Sequence, residues 1–181
     1  MAKRQVKPHR PVYPTPAGLI TSVDGAGKPN IITLGEVFNI SISRPVILGI
    51  AIRKERYSHE LISETREYVV NLPTVDIAEK VLGCGRVSGR DVDKFERFDL
   101  TPLPATVVKP PLIAECPVNV ECKVTGIQVI GDHDLFLGEV VAQHVDEDVL
   151  DENGKIVVER LNGFAFVLSE FRTFDREIEL G

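Results

Sequence analysis

The stretch Pro45 to Ile52 (PVILGIAI) is apolar without alternation, a pattern that suits a segment covered on both faces. Its length and its β-branched residues indicate a buried strand rather than a helix. Directly after it the polarity inverts, at Arg53-Lys54-Glu55-Arg56-Tyr57-Ser58. Ser58 reads as a helix N-cap, its side-chain oxygen accepting from the free amides of a turn that begins His59-Glu60-Leu61-Ile62. Three cationic side chains, the hydroxyls of Tyr57 and Ser58, and the positive end of a helix then converge at a strand end. A phosphate dianion needs that chemistry. Taken alone, the same residues also describe a solvated loop, a common use of charge at a strand end, so other stretches must decide.

The flanking chain reads as short strands joined by tight turns. Residues 1–14 hold Lys3, Arg4, Lys7 and Arg10 among Pro8, Pro11 and Pro14, and are expected to form an extended arm ahead of a single domain spanning residues 15–181. Gly18 to Val23 is a strand, Asp24-Gly25-Ala26-Gly27-Lys28 a hairpin turn, and Asn30 to Leu34 the returning strand. The helix from Ser58 should end near Arg66, before a strand Tyr68 to Leu72. Thr74 is placed to cap a helix over Val75 to Leu82 that stops at Gly83, and a short helix is expected from Asp91 to Arg97. Val118, Val120, Cys122 and Val124 alternate with Asn119, Glu121, Lys123 and Thr125, as in a strand with one wet face. Leu135 to Ala142 pairs back across Gly131 to Asp134, Asn153-Gly154 marks another hairpin, and Phe164 to Leu168 is a late strand. Many short strands with three short helices between them imply a mainly β, antiparallel barrel.

A net charge of −6 over 181 residues argues against nucleic acid or an anionic membrane as partner. No run of eighteen apolar residues occurs, and prolines interrupt the basic N-terminal stretch, so a cytoplasmic protein without a membrane span is expected. Cys84, Cys116 and Cys122 form no CxxC pair and suit buried, reduced thiols better than a disulfide frame or a zinc site.

Several familiar patterns fail. Gly83-Cys84-Gly85-Arg86-Val87-Ser88 has serine in its sixth position and follows a helix instead of opening one, so it is no dinucleotide fingerprint. His9, His59, His133 and His144 are dispersed, with no HExxH and no GxSxG, so neither a metal site nor a hydrolase triad is expected. Ser88-Gly89-Arg90-Asp91 places a glycine, which permits close backbone approach, before a charged pair. Its ordinary role is a surface loop. His133 stands between Asp132 and Asp134, where a solvated loop histidine is the ordinary case.

With these pieces assembled, the chain resembles the flavin reductase-like, FMN-binding split-barrel proteins, and among them the flavoredoxin-type branch. The resemblance is carried by Pro29-Asn30-Ile31-Ile32-Thr33-Leu34, by Arg53-Lys54 through Ile62, by Asn71-Leu72-Pro73 and by Ser88 through Phe95. Pro110-Pro111-Leu112-Ile113 and Gly131 through Val140 continue it. The resemblance implies a six-stranded antiparallel split barrel with Greek-key connections, a homodimer with FMN near the subunit interface, and reduction of that flavin by NADH or NADPH. It further implies that Ile32, Thr33, Leu34 and Gly35 offer backbone amides and a hydroxyl to the isoalloxazine edge, and that Ser41 lines the ring or ribityl chain. Arg53, Lys54, Arg56, Tyr57 and Ser58 would hold the phosphate. Ser88, Gly89, Arg90 and Lys94 would border the flavin, and Arg90 or His133 would tune it.

Three functions are compatible with this reading. In the first, hydride passes from NAD(P)H to FMN with no side chain acting covalently, and electrons move on to a further acceptor. In the second, a flavoredoxin-like carrier holds FMN that a redox partner protein reduces. In the third, the barrel is a non-enzymatic ligand-binding module.

Overall fold

The computed structural model describes residues 2–7, 12–168 and 170–173. In chain order the elements are β1 (Thr15–Pro16), β2 (Gly18–Val23), β3 (Pro29–Leu34), β4 (Val37–Ser41), β5 (Ile47–Arg53), α1 (Tyr57–Thr65) and β6 (Glu67–Leu72). A 3-10 turn (Val75–Ile77) then leads into α2 (Ala78–Arg86), followed by α3 (Lys94–Arg97), β7 (Pro102–Leu103) and β8 (Leu112–Ile113). Two long strands, β9 (Val118–Ile130) and β10 (His133–Val145), precede β11 (Phe164–Val167) and β12 (Glu170–Thr173). The expected arm over residues 1–14 falls partly outside the described residues, as does His9.

The fold is mainly β with few helices. Its main sheet is antiparallel, in the order β3-β2-β6-β9-β10-β5-β4. Seven strands therefore stand in the main sheet where a six-stranded split barrel was expected. The additional strand is β4, which pairs with β5 on the sheet's far edge. Only Gly35 and Glu36 separate β3 from β4, so the two edge strands of the sheet are neighbours in the chain. Two residues cannot cross a flat sheet of seven strands, and the sheet must curl until its edges approach. They meet without pairing, which leaves a split between β3 and β5 with the Ala51 amide donating to the Glu36 carbonyl at 3.0 Å.

Two cores follow from the strand period. Ile20, Ile50, Ile52, Tyr68, Val70, Cys122 and Phe136 point inside the curled sheet, and α1 closes one end with Ile62. The opposite face of β2 and β3 sends Leu19 and Ile31 against Val81 and Cys84 of α2, Phe95 of α3, and Phe164. That is why β2 is buried along its whole length. The long crossing from β6 to β9 covers the outer face there, where Val69 meets Val108 and Leu112. All three cysteines are free and buried. Among the described residues, no helix is long and apolar enough to cross a membrane.

Four local expectations are corrected. Helix α1 starts two residues early, with Arg56 at its N-cap, and Ser58 lies buried in the first turn. Its hydroxyl accepts from Asn30 Nδ2 at 2.8 Å instead of capping. Helix α2 runs through Gly83 to Arg86, and Thr74 makes no side-chain cap. Gly83 is present because a Cβ there would lie 2.4 Å from the Phe98 ring, so it admits packing and does not stop the helix. The next helix is shorter than expected because Asp93 caps it, accepting from the amides of Phe95 at 3.0 Å and Glu96 at 3.2 Å. Finally, β9 is not wet on one face in its first half: Asn119 and Glu121 are buried.

Glu121 is fully buried and accepts from the amides of Thr106, Val107 and Val108, from the Thr106 hydroxyl and from His144. Burial alone would raise its pKa, but these donors outweigh it and bring the pKa down from 4.5 to about 2. The carboxylate thus pins the β6–β9 crossing. Its stabilising effect is complete above pH 4.5 and disappears as pH falls toward 2, because the folded state holds the ionised form. Glu121→Gln is expected to lower stability by about 3 kcal/mol at pH 7, with the gap from wild type closing between pH 4.5 and 2 in urea unfolding.

Candidate active site

A cleft of about 630 Å³ opens along the split, in the size range of small-molecule and cofactor sites. One wall is β3, contributing Asn30, Ile32, Thr33 and Leu34, with Glu36 beyond it. The opposite wall is the end of β5 and the loop into α1, from Ala51 to Ser58 without Lys54. The end of α2 and the loop Val87 to Arg90 form a third side, while Lys94 and His133 complete the lining. A larger cavity, about 790 Å³, lies between Pro14, Leu72, Pro117, Leu161 and Phe164, and among the described residues its only charged lining residue is Glu159. Chemistry therefore selects the cleft and size does not.

Strand β3 is paired on one side only. Lys94 Nζ donates to the Ile31 carbonyl at 2.7 Å, which places that carbonyl on the unpaired edge. In an antiparallel ladder the amide and carbonyl of a residue project together and alternate along the strand, so those of Thr33 face the same way. The cleft is thus edged by strand backbone without a strand partner. The Thr33 hydroxyl is committed elsewhere, donating to the Val81 carbonyl at 2.6 Å and tying β3 to α2.

The cationic side is built at the start of α1. Among the described residues no side chain caps this helix; the His59 amide donates to the Arg56 carbonyl at 2.9 Å, so the amides of Tyr57 and Ser58 present its positive end. Arg53 reaches Asp132 at 3.2 Å and Glu55 at 3.9 Å, and its neighbour across the β5–β10 ladder is His133. His133 Nδ1 lies 2.7 Å from Asp132 Oδ1, and this hydrogen bond is the main reason the Asp132 pKa is lowered. Arg90 pairs with Glu60 at 2.7 Å and lies over the Tyr57 ring, 4.8 Å from its centroid. Arg56 and Arg86 also line the cleft, and among the described residues neither enters an ion pair.

Lys94 is 4% exposed and its ammonium is shared between the carbonyls of Ile31 and Cys84, each at 2.7 Å. Burial is the main cause that brings its pKa down to about 8, with Cys84 opposing and Arg56 adding to the effect. Burial likewise pushes the Cys84 thiol up to about 11, so it is no nucleophile at neutral pH. Gly89 closes the wall: a Cβ there would fall 1.9 Å from Asn30 Oδ1.

Most residues singled out from sequence meet in this cleft: Ile32, Thr33, Leu34, Arg53, Arg56, Tyr57, Ser58, Ser88, Gly89, Arg90, Lys94 and His133 all line it. Three do not. Gly35 faces Thr15 and Phe166, and the Ser41 hydroxyl donates to the Pro45 carbonyl at 2.7 Å. Lys54 turns away to buried Asp134, which also holds His59 Nε2 at 2.9 Å. Sequence reasoning missed Asn30, Glu36, Ala51, Ile52, Glu55, the α2 end from Cys84 to Arg86, and Val87 after it. Asn30 was inside a quoted motif, but its bond to a serine 28 residues away leaves no local signal. Asn71, in another motif, is structural: its Oδ1 accepts from Ile113 and Asn119, and its Nδ2 donates to Leu19. Among the described residues, no group of three or more His, Cys, Asp or Glu side chains is placed to share a metal ion.

A strand edge, an uncapped helix start and four arginines thus surround one cleft at the split of the barrel. Over residues 9–162 the chain matches the flavin reductase like domain, and it belongs to that family. An uncharacterized protein of Archaeoglobus fulgidus is 40% identical over 144 residues, covering 80% of this chain and 78% of the relative. Flavoredoxin of Desulfovibrio vulgaris (Miyazaki F) superposes with a TM-score of 0.90 at 25% identity, over 99% of this chain and 97% of that one. Flavoredoxin from Methanosarcina acetivorans gives 0.86 at 27% identity, over 98% and 95%.

Lys94→Met leaves the Ile31 and Cys84 carbonyls without their buried donor. It is expected to cost about 2–4 kcal/mol in urea unfolding, because each stranded acceptor bears its own desolvation penalty.

Proposed function

We propose that the cleft holds FMN and that the protein is an NAD(P)H-dependent flavin oxidoreductase. The observation that carries this reading is the convergence, in one cleft, of the unpaired β3 edge, the uncapped start of α1 and four arginines. The residues fit the cofactor. A flavin mononucleotide needs a cationic end for its phosphate and a row of backbone donors and acceptors for its ring edge, and the cleft has both. Membership of the flavin reductase like domain family and similarity to two flavoredoxins support the same cofactor class.

When bound, the flavin supplies a two-electron acceptor for hydride from NADH or NADPH. The chain's own groups bind and orient. Arg56 is the principal phosphate partner because it enters no ion pair among the described residues, and Arg86 and Arg53 add charge. The backbone at Thr33 meets the ring edge, and Gly89 keeps the facing wall thin. His133 and Arg90 supply positive or hydrogen-bonding character beside the cofactor. No side chain acts as a nucleophile. The protein works as a cytoplasmic homodimer and passes electrons to a further acceptor, which makes a redox partner protein part of the reading. The flavoredoxin similarities favour a second reading, a carrier whose FMN a partner protein reduces.

The absorption spectrum of the purified protein with added FMN, followed by anaerobic NADH and then NADPH, separates these readings. Flavin bands that bleach rapidly with either nucleotide support the oxidoreductase, and bands that persist until a protein donor is supplied support the carrier. A protein that retains no FMN refutes both. Arg56→Ala is expected to weaken FMN binding about tenfold, or about 1.4 kcal/mol, and Arg53→Ala by less, since Arg53 already pairs with Asp132.

A further inference from the structure

The first turn of α1 is held from behind by a polar pair that lies outside the cleft. Strand β10 opens with His133 and Asp134, which stand opposite Arg53 and Ile52 at the end of β5. Side chains alternate along a strand, so His133 lines the cleft while Asp134 shares the inward face of Phe136. On that face Asp134 is 6% exposed and Phe136 is fully buried. His59 of α1 meets both. Its ring stands edge-on to Phe136, with centroids 5.1 Å apart and planes at 79°, and its Nε2 donates to Asp134 Oδ2 at 2.9 Å. The backbone of the same residue closes the turn: the His59 amide donates to the Arg56 carbonyl at 2.9 Å, and the Arg56 amide to the Arg53 carbonyl at 3.1 Å. Asn30 holds this turn from the β3 wall through Ser58, and Asp134 holds it from β10 through His59.

Stability gives little reason for an acid at this position. Asp134 Oδ1 is buried and accepts no hydrogen bond among the described residues, and Lys54 Nζ stands 3.6 Å from it. A buried carboxylate with an unsatisfied oxygen stabilises a fold less than a well-packed apolar side chain of similar volume. What the acid supplies is direction. A hydrogen bond from β10 fixes where the turn sits, and that turn carries Arg56 and the Tyr57 and Ser58 amides that face the cleft. Neither His59 nor Asp134 lines the cleft, so the pair acts through the turn and not by touching a ligand. We propose that His59 and Asp134 are positioning residues for the phosphate end of the cleft, which makes them determinants of selectivity for the phosphorylated flavin over its unphosphorylated form. This rests on the reading of the cleft as an FMN site.

Riboflavin carries the ring and ribityl chain of FMN without the phosphate, so the two ligands report on the two ends of the cleft separately. Both are titrated, by quenching of flavin fluorescence, into wild type, His59→Leu, His59→Gln and the double variant His59→Leu with Asp134→Leu, and each protein is unfolded in urea. The expected result is FMN affinity about tenfold lower in His59→Leu, with riboflavin affinity unchanged within about twofold. His59→Gln keeps an N–H donor on a side chain of comparable reach and recovers most of the FMN affinity. The double variant removes the buried acid together with its donor, so its urea midpoint rises above that of His59→Leu while its FMN affinity stays low. Where His59→Leu does not fold, the double variant supplies the same comparison. FMN and riboflavin weakened together, FMN affinity that recovers with stability in the double variant, or FMN binding unchanged in His59→Leu each overturns the positioning role and leaves the cleft reading intact. A wild type that binds FMN no more tightly than riboflavin overturns the phosphate site itself, and one that binds neither overturns the FMN reading.

Discussion

The connection between β3 and β4 is only two residues long, and most of the architecture follows from that limit. Gly35 and Glu36 force the edges of a seven-stranded sheet together, yet β4 is paired to β5 and turned away from β3. The result is a seam where the β3 backbone edge meets a cleft and not a strand. Unpaired peptide groups in such a place are costly unless another donor reaches them. Lys94 reaches Ile31, the Thr33 hydroxyl ties the strand to α2, and Asn30 joins it to the start of α1. The same polar ties that make the split tolerable hold its walls in fixed relation, as a ligand site built on strands and helix ends requires.

Elements whose cause is local were legible in the sequence. The apolar run through Ile50 and the hairpin at Asp24 to Lys28 became the strand and turn their patterns imply, and the alternation that begins β9 became a strand, though without the wet face it implied. Failures occurred where a distant residue decided the outcome. Ser58 has the chemistry of a cap, but Asn30 takes its hydroxyl. Gly83 has the chemistry of a helix stop, but the ring of Phe98, fifteen residues later, occupies the space where its side chain would be. Glu121 sits at a position of the period that normally faces water, and a loop folded back from residues 106–108 buries it. In each case the overriding contact is tertiary, and no window of a dozen residues contains both partners.

The candidate site divides in the same way. Its charged members were visible because a basic cluster after a buried strand is an unusual local pattern. Which of those charges are available was not visible. Arg53, Lys54 and Arg90 are each held by a carboxylate, on Asp132, Asp134 and Glu60, whereas among the described residues Arg56 is not, although the four are close in sequence or share one cleft. Exposed pairs of this kind contribute little stability, so their larger effect is positional: each fixes a guanidinium or ammonium before any ligand arrives.

That distribution bears on how an anionic ligand is recognised. Four arginines around one cleft repel one another, and a site that kept all of them unpaired would be destabilised without ligand. Pairing Arg53 and Arg90 to acids on neighbouring segments lowers this repulsion and leaves Arg56 and Arg86 to supply most of the net attraction. The paired arginines keep donor groups beyond those their carboxylates use, since a guanidinium has five N–H donors in a rigid fork. They can therefore contact a ligand without releasing their acids, and binding need not break an ion pair to make another. In the proposed reading, the charge of the bound group falls beside Arg56 and the start of α1, where the unpaired cations are.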